Sequence, residues 1–285
     1  MAITTTGTYI VTGATGGIGS AIADALMKRG VGRVVLACRD TARADALASR
    51  LKEAHPSSPT ELQSVRIDLG NMASVRQFAE TVIRDCQPLT ALINNAGTMP
   101  SHVTLSDDGI ECATATNLVS TALLTSLLIP HIADGGAVVM TTSMTRRIVR
   151  LRPDWLKHAA SYHGPLRRFK TYGRSKLMLT HYAAELARQL APRHIRVNCA
   201  DPGIVDSGIL KMDNPVIDRL ADIFFRPVIS TTAQGANAAL SALDSPLTSR
   251  IFTTSGNSRP IPSSYIGNPL HQPVLAALNR LIQSF

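Results

Sequence analysis

Short apolar runs alternate with helix-period stretches from the first residues to about residue 200, and this alternation limits the fold more than any other feature. The runs at 9–11, 34–37, 65–67, 89–93, 137–141 and 195–199 are rich in Val, Ile and Leu and read as buried strands. Between them, 18–29, 41–54, 74–85, 107–128 and 172–190 carry apolar residues at helical spacing. Strand–helix repetition implies a parallel sheet with helices on both faces. No internal repeat or Gly/Ser linker divides the chain. The expectation is an α/β fold: a single-domain, Rossmann-type doubly wound sheet spanning 1–285. In such sheets ligands collect at the carboxyl ends of the strands, so the residues after each run are the candidates for chemistry.

Composition narrows the class. Hydrophobic residues make up 45% and charged residues 17%, which fits a large core and excludes a disordered or coiled-coil chain. No apolar run reaches the ~18 residues of a membrane span. Residues 1–8 lack a basic region and a long apolar core, so no signal peptide and a cytoplasmic location are expected. Cys38, Cys86, Cys112 and Cys199 are widely spaced, which predicts neither a metal site nor a disulfide framework. The net charge is +9 and the pI about 9.8. The Lys and Arg residues form no long tract, so nucleic acid is not an expected partner, while weak attraction to acidic membranes stays open. A local positive patch would suit a phosphorylated ligand.

The first strand runs into Thr12-Gly13-Ala14-Thr15-Gly16-Gly17-Ile18-Gly19. Gly13 permits a tight turn, Gly17 lets backbone approach a phosphate, and Gly19 allows close helix–strand packing. The helix N-terminus would present unpaired N–H groups to a pyrophosphate. Later strands end at Cys38-Arg39-Asp40, Asp68-Leu69, Asn94-Asn95-Ala96-Gly97, Thr141-Thr142-Ser143 and Pro202-Gly203-Ile204-Val205-Asp206-Ser207. Tyr172 and Lys176 stand four apart in Tyr172-Gly173-Arg174-Ser175-Lys176 and share a helix face. An ammonium beside a phenol favours phenolate and lowers a pKa that is otherwise about 10, which makes a usable general acid or base.

In this order and with these gaps, the motifs resemble the short-chain dehydrogenase/reductase (SDR) family over roughly 7–245. The resemblance implies hydride transfer between a nicotinamide cofactor and a carbonyl or alcohol, with Asn117, Ser143, Tyr172 and Lys176 as the catalytic set. Thr142 is the alternative to Ser143. It implies cofactor contacts from Gly13, Thr15, Gly17, Ile18, Gly19, Arg39, Asp68, Leu69, Asn95, Ala96, Gly97, Tyr172, Lys176, Pro202, Gly203, Val205 and Ser207. Asp68 would bond the adenine amino group; a helix N-cap role is the other reading, and the two are compatible. Ala96 and Gly97 would clear the ribose. Asn117 would hold a water linked to Lys176. Ser207 stands where the family commonly has Thr.

Arg39 replaces the acid that meets an unphosphorylated ribose, so NADP(H) is expected over NAD(H), with Asp40 as a competing ribose partner. Within the family, Ala37-Cys38-Arg39-Asp40, Asp68-Leu69, Ser74-Val75-Arg76 and Tyr172-Gly173-Arg174-Ser175-Lys176-Leu177 are similar to the retinol dehydrogenase and protochlorophyllide reductase branch. The chain departs from that branch at Leu118-Val119-Ser120, where a His and a Gly are usual.

An insert at 144–166 carries Arg146, Arg147, Arg150, Arg152 and Trp155, and its arginines read as solvated. A lid is expected at about 207–230, and a helical tail at 269–285 that docks on the domain. The apolar lid and Trp155 point to a hydrophobic ketone, aldehyde or alcohol as substrate. A homodimer or homotetramer stays open. So does a different class: an NADP(H)-binding sensor, or an enzyme using the fold for a non-redox step.

Overall fold

The computed structural model describes residues 6–152, 154–158, 167–203 and 231–285. Eight strands join one sheet in the order β3-β2-β1-β4-β5-β6-β7-β8. They are β1 (Thr8–Thr12), β2 (Arg33–Cys38), β3 (Glu61–Arg66), β4 (Leu89–Asn94), β5 (Ile132–Thr141), β6 (Arg196–Asp201), β7 (Arg250–Thr253) and β8 (Ser258–Pro260). All neighbouring pairs are parallel except β7 with β8. β1 pairs β2 on one side and β4 on the other, so the order reverses there and a crevice opens beyond the carboxyl ends of β1 and β4.

The period-two alternation of strands explains the layers. Ile10, Val35, Leu92, Val138, Val197 and Cys199 face one core, with Phe78, Leu124, Met178 and Leu278. Tyr9, Val11, Val34, Leu36, Ile93 and Val139 face the other, with Ile22, Leu26, Leu47 and Ala239. Helices α1 (Gly17–Lys28), α2 (Thr41–Ala54) and α6 (Thr232–Asp244) cover the second face. Helices α3 (Met72–Asp85), α4 (112–128), α5 (Arg167–Gln189) and α7 (His271–Gln283) cover the first.

Four elements, α4, α6, β7 and β8, differ from the sequence reading. The helix expected from 107 starts at Cys112, because Gly109 turns the chain at φ +74° and the Glu111 side chain caps the Thr114 N–H. This helix, α4, comprises Cys112–Thr114, a π-helical stretch Ala115–Val119 and Ser120–Leu128. Helix Cys112–His131 is also long and apolar enough to cross a membrane, contrary to expectation, but 72% of its apolar window is buried against the core. Finally, α6, β7 and β8 lie beyond the alternation. β8 reads Ser-Arg-Pro and tolerates proline only because it is an edge strand.

The tail docks as expected, burying Val274, Leu275, Leu278 and Ile282, while Leu281 stays partly exposed. A polar contact fixes it to α5. Nδ1 of His181 lies 2.9 Å from Nδ1 of His271, and the His271 Nε2 lies 3.5 Å from the Glu185 carboxylate. Two Nδ1 atoms bond only if one ring donates and the other accepts, so added protons disrupt the pair.

Burial and the neighbouring His271 push His181 down to about 3. A folded pKa below the unfolded value gives stability that is complete above about 6.5 and is lost as pH falls towards 3. Glu185, held down to about 2 chiefly by Arg188, adds in the same sense below its ordinary 4.5. Denaturation midpoints measured across that range should therefore fall with acid, and His181→Phe should flatten the fall. A wild-type curve that is level from 6.5 to 4 would contradict this account.

Candidate active site

The glycine-rich turn follows β1 and enters α1. Gly13 adopts φ +65°, and its N–H donates to the Ala37 carbonyl at 2.9 Å, tying the turn to β2. A Cβ on Gly19 would lie 2.2 Å from the Gly13 carbonyl oxygen, so no side chain fits there. The missing Cβ of Gly17 also leaves room for the Thr232 methyl, 2.5 Å from where that carbon would be. The clearance thus serves the first turn of α6. Among the described residues no side chain caps the N-terminus of α1, where Gly16 and Gly17 are exposed and Thr15 and Ile18 half-buried. That end is built to receive an anion.

Arg39 is exposed at the end of β2 and makes no hydrogen bond or ion pair among the described residues. Asp40 is the N-cap of α2, with Oδ1 accepting from the Arg43 N–H at 3.1 Å. Asp68 is not a helix N-cap. Asn71 caps α3, and Asp68 Oδ1 accepts from the Gly70 N–H at 2.8 Å, closing a local turn beside buried Leu69. Asn95 is engaged within the protein. Its Nδ2 donates to the Thr12 carbonyl at 2.9 Å, so its amide braces the glycine-rich turn. Thr12, missed by the sequence reading, accepts at Oγ1 from the N–H groups of Asn95 and Ala96, both at 3.0 Å.

The four predicted catalytic residues converge at the carboxyl ends of β4, β5 and β6. Lys176 is buried on α5 and donates from Nζ to the Thr141 carbonyl at 2.8 Å. Asn117 is fully buried in the π stretch of α4. Its amide bonds the Thr98 N–H and carbonyl at 2.8 and 2.9 Å and the Ser175 hydroxyl at 3.2 Å. A Cβ on Gly97 would sit 3.2 Å from Lys176 Nζ and 3.3 Å from Asn117 Oδ1, so this glycine clears space for both side chains.

The two candidate hydroxyls point in different directions. Thr142 is buried against α5, bonding the Lys176 carbonyl and the Thr180 hydroxyl, the latter at 2.9 Å. Ser143 caps the 3-10 turn Met144–Ile148 and hydrogen-bonds the Tyr172 phenol.

The electrostatics correct one expectation. Desolvation pushes the Tyr172 phenol up to about 12, opposed by the Ser143 hydrogen bond and reinforced by the Asp201 carboxylate. Lys176 Nζ stands 5.6 Å from the Tyr172 ring centre and does not lower it here. The ring keeps part of its surface open, but the hydroxyl bonds Ser143 and responds to its dry surroundings. Burial also holds Lys176 down to about 8.

Two readings of the insert fail. Arg146 is 1% exposed and paired with Asp201 at 2.6 Å, so it is not solvated. Trp155 is 2% exposed within the core and is no evidence for an apolar substrate. Arg147, Arg150 and Arg152 are exposed, as read. Pro202 and Gly203 follow β6, with Gly203 at φ +69°. Val205, Ser207 and the lid at 207–230 lie outside the described residues.

The family model described as Enoyl-(Acyl carrier protein) reductase matches residues 13–240. Retinol dehydrogenase 12 of Mus musculus is 31% identical over 233 residues, covering 81% of this chain and 71% of that protein. An uncharacterized protein from Mycobacterium Paratuberculosis superposes with TM-score 0.74 at 26% identity, covering 97% of this chain and 93% of that one. Angucycline C-6 ketoreductase LanV, solved with bound NADP, superposes with TM-score 0.67 at 23% identity, covering 89% and 95%. The likeness to retinol dehydrogenase agrees with the branch suggested by the motifs.

The two hydroxyls should separate in mutation. Thr142→Val removes a buried partner of Thr180 and should cost about 1–3 kcal/mol of stability while sparing turnover. Ser143→Ala should keep the melting temperature within a few degrees and lower kcat. Reversed results, from thermal melts and steady-state assays on both variants, would reassign the serine.

Proposed function

The chain belongs to the short-chain dehydrogenase/reductase family, and on that premise we propose that it is an NADPH-dependent carbonyl reductase for hydrophobic ketones or aldehydes, with Tyr172 as general acid. Membership makes it an oxidoreductase acting on CH–OH or C=O groups with a nicotinamide cofactor. The finer reading is carried by one observation: the Ser143 hydroxyl acts on the Tyr172 phenol, and Lys176 and Asn117 both lie against Gly97. The fit to NADP(H) rests on the uncapped N-terminus of α1, which suits a pyrophosphate, and on Arg39, an exposed guanidinium that suits a 2′-phosphate. The NADP bound in LanV supports the same choice. With Trp155 in the core, support for an apolar substrate comes from the relatives named retinol dehydrogenase and polyprenol dehydrogenase.

Bound NADPH supplies the hydride. Ser143 and Tyr172 hold the carbonyl oxygen between two O–H donors, where negative charge develops. Tyr172 then gives its proton to that oxygen. A phenol at about 12 is protonated at neutral pH, as a reducing enzyme needs. Lys176 places a positive charge behind it, and its burial against the Thr141 carbonyl keeps that charge out of water. The Asn117 amide fixes the loop at Thr98 and so the wall beside Lys176.

Oxidation of NADPH followed against a ketone and aldehyde panel should exceed that of NADH. Arg39→Ala should shrink the preference by roughly ten- to a hundredfold, the value of a charge-assisted hydrogen bond. Equal use of both cofactors by the wild type would remove Arg39 from the reading. Tyr172→Phe should lose about 10²-fold or more in kcat while still binding NADPH. Because Lys176 is held down to about 8, kcat/KM for reduction should be level below that pH and fall above it as the ammonium is lost. A profile that rises through pH 8 would refute the role given to Lys176.

A further inference from the structure

Arg146 and Asp201 form a buried ion pair at the site to which the mechanism above assigns no role. Desolvating a guanidinium and a carboxylate is costly, and such pairs are often replaced by apolar residues without loss of stability. Fold stability therefore does not account for this one. Its contacts do. Arg146 Nη1 donates to the Ser143 carbonyl at 2.5 Å and to Asp201 Oδ2 at 2.6 Å. The other carboxylate oxygen, Oδ1, accepts from the Gly203 N–H at 3.3 Å. One ion pair thus joins the backbone of Ser143, at the end of β5, to the Pro202–Gly203 turn, at the end of the neighbouring β6.

The same 3-10 turn reaches α5. A Cβ on Gly173 would lie 2.8 Å from the Thr145 carbonyl oxygen, so the glycine beside Tyr172 lets the helix close onto the turn that carries Arg146. Taking the roles proposed above for Ser143 and Tyr172, we propose that the Arg146–Asp201 pair is a positioning device for reduction: it holds the Ser143 loop and the Pro202–Gly203 turn in one register against the Tyr172 helix. Neither residue is given a contact with substrate.

The charges near the phenol agree with this. Tyr172 is flanked by Lys176 on its own helix, by Asp201 at the end of β6, and by the Ser143 turn with Arg146. Asp201 raises both Tyr172 and Lys176, favouring a protonated phenol and a charged amine, the forms a reductase uses. From the C-terminal segment, the Tyr265 phenol is raised by burial and drawn back down by the Arg146 charge.

The test uses the full chain carrying both Arg146→Met and Asp201→Asn, which leaves no uncompensated buried charge, alongside Asp201→Asn alone. Circular dichroism, NADPH affinity from the fluorescence of the bound cofactor, and kcat and KM with a ketone turned over by the wild type are measured. The double variant should fold and bind NADPH within roughly threefold of wild type, because the glycine-rich turn is untouched, yet lose about tenfold or more in kcat, as expected when reacting groups are misplaced. A double variant with wild-type kcat overturns the inference, and so does one that does not fold, since the pair would then be a fold element only. Wild-type protein that reduces no carbonyl sinks the proposed function and this inference together; wild-type turnover with an undiminished double variant sinks the inference alone.

Discussion

The cleft depends on one requirement: main-chain polar groups at the carboxyl edge of a sheet buried on both faces must find partners. Where β1 and β4 end, the sheet no longer supplies them. Thr12 meets the need with one hydroxyl, which accepts from two successive N–H groups after β4. Asn95 returns the bond to the Thr12 carbonyl. The two loops that border the crevice are thereby stitched together, and the glycine-rich turn is presented at a fixed height above the sheet. The tight fit of Gly19 under Gly13 is a consequence of the same closeness.

Around that edge, electrostatics and burial pull in opposite directions. Drying the site raises the phenol and lowers the amine, so each moves towards its neutral form. The hydroxyl of Ser143 and the carboxylate of Asp201 then adjust the result from outside the helix. The tyrosine–lysine pair is therefore tuned mostly by what packs around it, and its spacing on the helix says only that the two can meet.

Much of this was legible in the residues, for a physical reason. The apolar runs of a parallel sheet must be short and continuous, so the first six strands were visible, as were most of the helices. Turn glycines and catalytic polar residues also stood out, because the alternation places them at strand ends. What was misjudged depends on three-dimensional neighbours. Nothing in the spacing of 144–166 says that Arg146 points inward to Asp201 while Arg147 points out, or that Trp155 is core. The glycines showed where side chains are forbidden, but not by what: Gly17 yields to Thr232 and Gly97 to Lys176 and Asn117. Asp40 and Asp68 looked alike as ligand candidates, and only the N–H groups they meet tell them apart.

The π stretch in α4 has a further consequence. Each ring there closes over one residue more than in an α-helix, so the helix holds a surplus residue relative to its length. That surplus sets the angular phase between its two halves. On one side Asn117 meets Thr98 and Ser175; on the other the Ser120 hydroxyl donates to the Leu69 carbonyl at 2.6 Å. Deleting a single residue between Ala115 and Val119 would leave an unbroken, better-bonded helix that could satisfy one of these engagements but not both. Here regularity and competence exclude each other, and the chain keeps the irregular form.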